Sequence, residues 1–466
     1  MAMPAAPLSN DTPRFRRARL RVFAMLILGY ASYYLTRNSL TYVAPAMVAP
    51  VGGVAGLDIT SVGLITSLFP LCYGASKFVA GVLGDRFDPR TLLAAGLLVT
   101  ALANIAFGLS SALWAFCALW CVNGLVQGCG APSCAKMLTA WFAAGERGTY
   151  WGLWNLSHNL GGFCAPLLAG SAARSLGWRM GFFAPGAVGL CVSAAVYAIC
   201  RSAPEDLGYA PVEEPLDPAP ERAPLPSPPA STAQRPTAPT GPRARPALLA
   251  SLGLVARDLR IWLLALTYLC VYVVRQGVTS WSVFYLLDTG RAADAGAAAL
   301  RVTGLELGGL GGSLIAGKLS DALVARASSG RVGMRIRVVI GYLVALALAL
   351  AAFARVPVGA AGLQWLAVFA IGAALYGPQM LVGLCGAEIV GRGSVGASEG
   401  LLGLIAYFGA AMAGLPLATL VKRHGWGAFF RVLTLCSLLP IPLLAGLVSA
   451  RAHSEGSADT ARENSK

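Results

Sequence analysis

The chain has 466 residues, of which 56% are hydrophobic and only 12% are charged, and its mean hydropathy is +0.65. An average soluble domain carries about 25% charged residues, so this composition excludes an ordinary soluble fold and predicts a polytopic membrane protein. The net charge of +15 does not indicate a nucleic-acid partner, because the basic residues crowd next to apolar segments in the way that the positive-inside bias predicts.

The apolar segments are long enough to cross a bilayer, for which a helix needs about 20 mainly apolar residues. Twelve such segments are predicted, six on each side of a proline-rich interval. Their ranges are 21–47, 60–82, 92–109, 112–138, 148–173, 180–200, 260–286, 299–320, 336–354, 362–386, 398–420 and 427–449. The predicted fold class is therefore an all-α membrane protein with twelve transmembrane helices.

The proline-rich interval divides the chain into two halves. The predicted domains are a basic arm (1–20), a six-helix bundle (21–203), a linker (204–247), a second six-helix bundle (248–450) and a polar tail (451–466). The linker contains PVEEPLDPAPERAPLPSPPA, a composition that predicts disorder with polyproline II character. Arginines crowd residues 14–21 and 326–337, and this bias places both termini in the cytoplasm or on its equivalent side. Plasma membrane and organelle envelope both remain open.

The pattern Tyr-x3-Tyr-x2-Arg occurs once in each half, ending at Arg37 and at Arg275, which are 238 positions apart. The tyrosines are Tyr30 and Tyr34 in the first copy and Tyr268 and Tyr272 in the second. Positions i, i+4 and i+7 share one face of a helix. An arginine inside a span costs roughly 2.5 kcal/mol or more and is a functional hypothesis by default. The two copies predict one cationic site built from both halves.

Two further echoes extend the duplication. Asp85 and Asp321 follow similar glycine-containing turns 236 positions apart, and the pair Gly177-Trp178 returns 248 positions later as Gly425-Trp426. Echoes at nearly one spacing indicate an internal repeat of about half the chain. Two parallel six-helix repeats are typical of the major facilitator arrangement, whose site lies near the bilayer midplane between the repeats.

The first acidic echo lies in the sequence Gly-Val-Leu-Gly-Asp85-Arg86, which Arg90 follows. It resembles the loop motif between the second and third helices of the major facilitator superfamily. The resemblance implies that Asp85, Arg86, Arg90 and, in the second half, Asp321 act in gating on the cytoplasmic side. The alternative is a simple hairpin cap. Glu306 in the second half is also assigned to gating.

Other polar residues inside apolar segments complete a candidate site for a compact polyanion. Tyr73 and Lys77 share a helix face, as do Trp154 and His158, and the second half adds Glu306, Tyr376 and Tyr407. Arginine holds phosphate bidentately and lysine adds a point charge, while tyrosines donate to phosphate oxygens. The alternatives are that tyrosines anchor the membrane interface, that His158 only packs, and that Lys77 pairs with Glu306.

No feature predicts an enzyme, a metal site or a cofactor. The eleven cysteines lie mostly in apolar segments without a CxxC spacing, and there are three histidines, so neither zinc nor a disulfide framework is indicated. No Walker motif is present, which predicts secondary transport. The first half lacks a mid-span carboxylate for proton coupling, whereas exchange of one phosphate-bearing anion for another needs only a basic site.

Several stretches carry a more specific resemblance: GYASYYLTRNS, YGASKFVAGVLGDR, LWAFCALWCVNGLVQGCGAP, ERGTYWGLWNLSHNLGG, VYVVRQG, LYGPQMLVGL and MAGLPLATL. They look like the organophosphate:phosphate antiporter family, and most like its bacterial hexose-phosphate sensor and transporter branch. The second half is also similar to the endoplasmic-reticulum glucose-6-phosphate transporter. The resemblance implies phosphate coordination by Arg37 and Arg275 and rocker-switch motion of the halves. Around the substrate it places Lys77, His158, Tyr30, Tyr34, Tyr73, Trp154, Tyr272, Tyr376 and Tyr407.

Two positions depart from the family. Relatives often have lysine where this chain has Asn38, and aspartate where it has Ser280, and the two can pair across the halves. The departures leave the gating interaction and the exact substrate open.

The resulting hypothesis is a monomeric antiporter in the lipid bilayer that exchanges a hexose phosphate, glucose-6-phosphate-like, for inorganic phosphate by alternating access. The alternatives are a membrane sensor that binds hexose phosphate without turnover, a carrier of glycerol-3-phosphate or another organophosphate, and an unrelated efflux carrier.

Overall fold

A computed structural model describes residues 9–10, 12–212, 253, 255–326, 330–390 and 395–449, without the side chains of 77–86, 144, 145, 147–149, 155 and 396. In the first half the helices are α1 (Pro13–Met47), α2 (Ile59–Arg86), α3 (Pro89–Leu109), α4 (Leu113–Gln127), α5 (Gly130–Trp141), α6 (Ala144–Ala165), α7 (Ser171–Leu176) and α8 (Met180–Ile199). In the second half they are α9 (Leu259–Asp288), α10 (Ala295–Val302), α11 (Gly304–Arg326), α12 (Arg331–Arg355), α13 (Ala361–Ile389), α14 (Val395–Met412), α15 (Leu415–Leu438) and α16 (Pro440–Ala445). We call the membrane face at which α1 begins the near face and the opposite one the far face.

The predicted class of an all-α membrane protein is confirmed. In the described part of the chain, eight helical stretches are long and apolar enough to cross a membrane. The longest, Ala397–Ala445, spans 49 residues and changes direction at Gly425, whose φ of 69° is left-handed and is a conformation that glycine tolerates best. The count of twelve spans stays a prediction.

The helix that contains the first predicted span begins before that span. Pro13 occupies the first turn of α1, and the Thr12 hydroxyl caps it by accepting a hydrogen bond from the Phe15 amide at 3.2 Å. Proline and a threonine cap both favour a helix start. Residues 13–20 are therefore helical and continuous with the first predicted span, and the division into an arm and a bundle stays a prediction.

The first residues of the predicted linker are also folded. Residues 204–207 form a 3-10 turn, the Tyr209 ring packs edge-on against Phe15 with centroids 5.2 Å apart, and the Asn10 amide donates to the Ala210 carbonyl at 3.1 Å. Aromatic packing under the start of α1 thus overrides the proline-rich composition here. Residues 213–247 of the linker and the tail 451–466 lie outside the described residues.

Several predicted continuous spans are broken. The fourth divides into α4 and α5, where Gly128 packs so closely on α2 that a Cβ would lie 2.2 Å from the Ser76 hydroxyl oxygen. The fifth contains a π-helical turn, Pro166–Gly170. Proline lacks the N–H that an α-helix needs at this point, and the wider turn absorbs the defect.

Close helix packing repeats across the two halves. A Cβ on Gly161 of α6 would lie 2.2 Å from the Ala31 carbonyl oxygen of α1, and a Cβ on Gly409 of α14 would lie 2.3 Å from the Leu269 carbonyl oxygen of α9. The glycines are 248 positions apart and their partners 238. Small residues allow such backbone approach between membrane helices. The internal duplication read from the sequence is therefore also a duplication of helix packing.

The halves meet mainly along α2 and the α14–α15 break. The Ser67 hydroxyl donates to the Ala411 carbonyl at 2.7 Å and accepts from the Leu415 amide at 2.8 Å. Toward the far face, a Cβ on Gly63 would lie 2.6 Å from the Ala418 methyl carbon. These contacts seal the far side of the space between the halves.

A candidate anion site between the two halves

The two duplicated arginines line one cavity. Arg37 comes from the middle of α1 and Arg275 from the middle of α9, and Glu306 near the start of α11 lines the same space. Both arginines are half-buried, so each guanidinium reaches the cavity from its own half. The cavity thus brings together the two arginines that the sequence assigns to one cationic site, and their role in binding an anion stays a prediction.

Aromatic rings hold the first guanidinium in place. The Arg37 Cζ lies 5.2 Å from the ring centre of Tyr34 and 4.9 Å from those of Phe69 and Tyr73. A cation over a ring face is attracted by about 0.5–2 kcal/mol. Stacking engages the flat face of a guanidinium, and the N–H donors lie on its edge. The arrangement orients Arg37 for an anion in the cavity.

The second guanidinium is held in the same way. The Arg275 Cζ lies 5.7 Å from the ring centre of Tyr272 and 5.3 Å from that of Tyr376. The Tyr376 ring lies against Gly309, where a Cβ would come within 2.7 Å of the ring. Only glycine leaves room for this tyrosine beside the arginine.

Ring contacts across the interface join the two arginine clusters. His158 lies 5.5 Å from Tyr34 in its own half and stacks almost parallel on Tyr376 of the other half at 6.4 Å. Tyr407 lies 4.8 Å from Tyr73 of the first half and 5.4 Å from Tyr272 of its own half. Both predicted partners from the fifth and eleventh segments therefore reach the same cluster.

The remaining predicted aromatics extend this cluster one to two turns toward the near face. Tyr30 lies 5.6 Å from Tyr34 and 4.7 Å from Trp154. Tyr268, which completes the second copy of the pattern, instead donates its hydroxyl to the Gln379 carbonyl at 2.9 Å. The second tyrosine pair thus gives one residue to the arginine and one to helix packing.

Glu306 lies in the cavity, in the first turn of α11. It is buried and accepts a hydrogen bond from the Tyr376 hydroxyl at 2.9 Å. It also touches the first half, because a Cβ on Gly162 would lie 2.7 Å from the Glu306 carboxyl carbon. The expected gating role of Glu306 stays a prediction. The side chain of Lys77, with which Glu306 is alternatively predicted to pair, lies outside the described residues.

Several cavity residues were not predicted from the sequence as site residues. Thr41 and Thr279 lie one helical turn beyond the two arginines and line the cavity, as do Thr66 and Gln276. The i+4 spacing from each arginine is a signal that could have identified the two threonines. Asn38 and Ser280 also line the cavity, and Ser280 accepts a hydrogen bond from the Gln276 amide at 2.7 Å. At the two positions where the family resemblance implies an ion pair, this chain has neutral hydrogen-bonding groups.

Of the predicted gating residues, Asp321 has a partner that the sequence did not reveal. Its carboxylate binds the Arg335 guanidinium at 2.8 Å, and Arg335 also binds Glu388 at 3.0 Å. Arg90 binds Asp88 at 3.7 Å and stacks on Tyr197 at 4.9 Å. Each of these networks stays within one half. The side chains of Asp85 and Arg86 lie outside the described residues.

Two ion pairs join the halves at the far face. Lys422 of the second half binds Asp58 of the first at 2.7 Å, and Arg174 of the first half binds Asp294 of the second at 3.4 Å. The two aspartates are 236 positions apart and the two basic residues 248, the spacings already seen in the duplicated motifs. The pairs are therefore two copies of one contact, each joining one half to the other. We call them the far-face ion pairs.

The Lys422–Asp58 pair has the shorter contact of the two, and it shifts the pKa of its carboxylate. The Lys422 ammonium, together with the Thr60 hydroxyl and the Ser61 amide, holds the pKa of the Asp58 carboxyl well below its usual range. Asp58 also caps the start of α2, with its carboxylate accepting from the Ser61 amide at 2.8 Å. The aspartate therefore stays charged at any physiological pH and fixes both a helix start and an interface.

The site is chemically suited to a small anion. Two arginines face one described carboxylate, and tyrosines supply hydroxyl donors around them. In the described part of the chain, no group of three His, Cys, Asp or Glu side chains could hold a metal ion. The donors present are those that bind phosphate or carboxylate oxygens.

The fold and the site define the class of the protein. The family model described as Major Facilitator Superfamily matches residues 26–414, and the chain belongs to that superfamily. It is an integral, multi-pass membrane protein. In fold it is similar to a solved bacterial homologue of the human lysosomal transporter Spinster in an inward-facing, unoccupied conformation, with a TM-score of 0.67, 17% identity and coverage of 92% of this chain and 95% of that chain.

Closer relatives are found by sequence. The chain is 35% identical to the membrane sensor protein UhpC of Salmonella typhimurium over 97% of each chain. It is also 35% identical to a probable hexose phosphate transport protein of Chlamydia trachomatis, over 95% of this chain and 94% of that protein. The resemblance to the hexose-phosphate sensor and transporter branch is thus confirmed.

Proposed function

We propose that this protein is a secondary transporter that exchanges a hexose phosphate, glucose-6-phosphate-like, for inorganic phosphate by alternating access. One observation carries the proposal: Arg37 and Arg275, from equivalent positions of the two halves, line one cavity between them. Two guanidinium forks approaching from opposite sides suit a phosphate group, which offers oxygens in several directions. Relatives named for hexose phosphate transport support the substrate class.

The charge of the site supports exchange rather than one-way movement. Two like charges about 4 Å apart repel by about 4 kcal/mol at an effective dielectric constant of 20, and a phosphate dianion bound between the arginines would relieve such repulsion. Repulsion between the arginines therefore opposes closure of the empty site. Binding of either phosphate-bearing anion relieves this repulsion and permits closure. This asymmetry couples the outward movement of one anion to the inward movement of the other.

The aromatic cluster supplies surface for the sugar. Trp154, Tyr30 and Tyr34 form a continuous row of rings that ends at Arg37, and rings stack well on the apolar faces of sugars. The proposed substrate-binding set is Arg37, Arg275, His158, Lys77, Tyr30, Tyr34, Tyr73, Trp154, Tyr272, Tyr376 and Tyr407. In this assignment the phosphate occupies the level of the arginines and the hexose extends toward the near face.

The far-face ion pairs support alternating access. Together with the Ser67 hydrogen bonds, they join the two halves on the far side of the cavity. The structure thus has the contacts expected of a state closed at the far face. The opposite state would have to break both pairs, with Asp85, Arg86, Arg90 and Asp321 proposed to control the near face, which we assign to the cytoplasm or its equivalent.

A second candidate function is a membrane sensor that binds hexose phosphate without significant turnover. The named sensor and the named transport protein are equally similar to this chain, at 35% identity, so similarity favours neither. A carrier of glycerol-3-phosphate or another organophosphate would use the same arginines.

The test is uptake of labelled glucose-6-phosphate into proteoliposomes that are preloaded with phosphate or left empty. We expect uptake only when phosphate is inside, and the same dependence when the two anions are exchanged. Binding without uptake would establish the sensor. Uptake of glycerol-3-phosphate in preference to glucose-6-phosphate would establish the other substrate class.

A further inference from the structure

A groove on the far face of the second half gathers three arginines away from the central cavity. It measures about 800 Å³ and lies where the end of α12 and the start of the last span meet the end of α9. The arginines are Arg291, Arg355 and Arg431, and the aromatic side chains lining the groove are Tyr285, Trp426 and Phe430. None of these residues belongs to the proposed anion site.

The described residues do not neutralise this positive charge. Arg291 donates to the Val356 carbonyl at 3.1 Å and stacks on Tyr285 at 4.9 Å, and Arg355 donates to a carbonyl of its own helix. Carbonyls and rings carry no net charge. Among the described ion pairs none includes the three arginines, and the nearby Asp288 carboxylate accepts a hydrogen bond from Trp426 at 2.6 Å. The groove therefore offers unused cationic binding capacity.

The groove changes from charged to apolar with depth. Arg431 lies five residues after Trp426, at the start of the last span. Leu435 and Leu438 line the groove one and two turns deeper and are 60% and 43% exposed. At 1.5 Å per residue, Leu438 lies about 10 Å deeper in the bilayer than Arg431. Charge at the membrane surface above exposed leucines matches an amphiphile and not a free ion.

The internal duplication does not account for this groove. The position 248 residues before Arg431 is Phe183, which fills the corresponding space in the first half, since a Cβ on Gly108 would lie 2.7 Å from its ring. Arg179 beside it donates to the carbonyls of the α3–α4 turn. The three arginines of the groove require a separate explanation.

We propose that the groove binds one anionic phospholipid of the far leaflet. Arg355 and Arg431 contact the headgroup phosphate, Trp426 lies at the level of the headgroups, and Leu435 and Leu438 contact an acyl chain. Basic pockets between membrane helices bind anionic headgroups in this way, and guanidinium–phosphate hydrogen bonds are charge-assisted and strong. The assignment does not depend on the substrate of the central site.

The experiment measures lipid retention by native mass spectrometry of the full chain in detergent with phosphatidylglycerol or phosphatidylcholine. We expect one tightly retained phosphatidylglycerol per chain that the double variant Arg355→Gln/Arg431→Gln holds roughly tenfold more weakly. The matched control is Arg326→Gln/Arg337→Gln, which removes the same charge from exposed residues at the near end of the same half. This control should keep the far-face lipid. Arg431→Lys should bind with intermediate affinity, because it keeps the charge and loses the fork.

Two results would overturn the proposal. One is equal phosphatidylglycerol retention in the native chain and the groove double variant when both are folded, as judged by their melting temperatures. The other is stabilisation by inorganic phosphate alone that disappears in the groove variant, since this would make the groove a site for free anions. Neither result bears on exchange at Arg37 and Arg275.

Discussion

The two halves build the same surroundings for an arginine from different helices. In the first half, Arg37 lies between tyrosines of α1 and α2, and in the second half Arg275 lies between tyrosines of α9 and α13. The position 236 residues after Tyr73 is Gly309, and it leaves the space that the Tyr376 ring fills. The repeat therefore preserves the environment of the arginine while the position of the second tyrosine in the sequence changes.

The two halves also differ in the charge that they bring to the cavity. The second half brings Glu306 into the cavity, whereas the position 236 residues earlier is Pro70, which lines the same cavity without charge. The far-face ion pairs, by contrast, are repeated in both halves. We infer that the two halves are equivalent in phosphate binding and in closing the far face, and different where the site must distinguish one substrate from another.

The largest effect is expected from exchanging each arginine for lysine. Arg37→Lys and Arg275→Lys each keep the charge but lose the bidentate fork, which removes about 1.5–3 kcal/mol of charge-assisted hydrogen bonding. Phosphate exchange in proteoliposomes should fall roughly 10- to 100-fold in both variants, and the exposed control Arg326→Lys should be unaffected. Full activity in both would refute the bidentate model, and a loss in only one would end the equivalence of the halves.

The next largest effect is expected from filling the space that Gly309 leaves for the Tyr376 ring. Gly309→Ala places a methyl group against the ring, and overpacking of this kind costs typically 1–3 kcal/mol. We expect exchange to fall roughly tenfold as the ring moves away from Arg275 and Glu306. Gly311→Ala on the same helix is the matched control, because a Cβ there meets nothing within 4 Å. Equal activity of the two alanine variants would show that the position of Tyr376 does not matter.

Breaking the far-face ion pairs should give a smaller change. Both pairs are partly exposed, and such pairs contribute about 0.2–1 kcal/mol each. The probe is Thr41→Cys, labelled from the far side by an impermeant thiol reagent. Asp58→Asn and Asp294→Asn should each increase this labelling up to about fivefold. In the double variant the two fold-changes should multiply. Peptide mass spectrometry separates this cysteine from the native ones.

The control for the ion pairs is Asp258→Asn, which breaks a pair with Arg260 inside one half and should leave labelling unchanged. Labelling that rises equally in the control would mean that loss of any surface charge loosens the protein.

The smallest effect concerns pH. Lys422 lowers the pKa of the Asp58 carboxyl in the folded protein, so the pair contributes stability at every pH above the ordinary aspartate value of about 3.9 and loses it as pH falls toward the lowered folded pKa. Far-side labelling corrected for reagent chemistry should be flat between pH 8 and 5 and rise only below about 4. Asp58→Asn should not show this rise. A transition near neutral pH would assign the opening to another group.

The sequence alone was sufficient for the features that follow from burial. Long apolar segments must form spanning helices because no water satisfies their backbone, and a mid-span arginine needs a functional reason. The first argument predicted the all-α class, which the structure confirms, and the spacings of the repeated motifs predicted the internal repeat. The second argument, with that repeat, predicts a shared site of Arg37 and Arg275, which stays a prediction. The same spacings relate Asp58 to Asp294 (236 positions) and Arg174 to Lys422 (248 positions). A comparison of the two halves at these positions could therefore have predicted the far-face ion pairs.

Tertiary structure alone decided the contacts between segments that are distant in the chain. It placed Tyr376 beside Arg275, bound Asp321 to Arg335, and packed Phe183 against Gly108 while leaving Arg431 at an open groove. Helix periodicity determines which face a residue occupies but not which other helix packs on that face. The composition and periodicity of this chain were therefore enough to locate its helices and to single out the two arginines inside them. Packing between helices decided which residues contact those arginines.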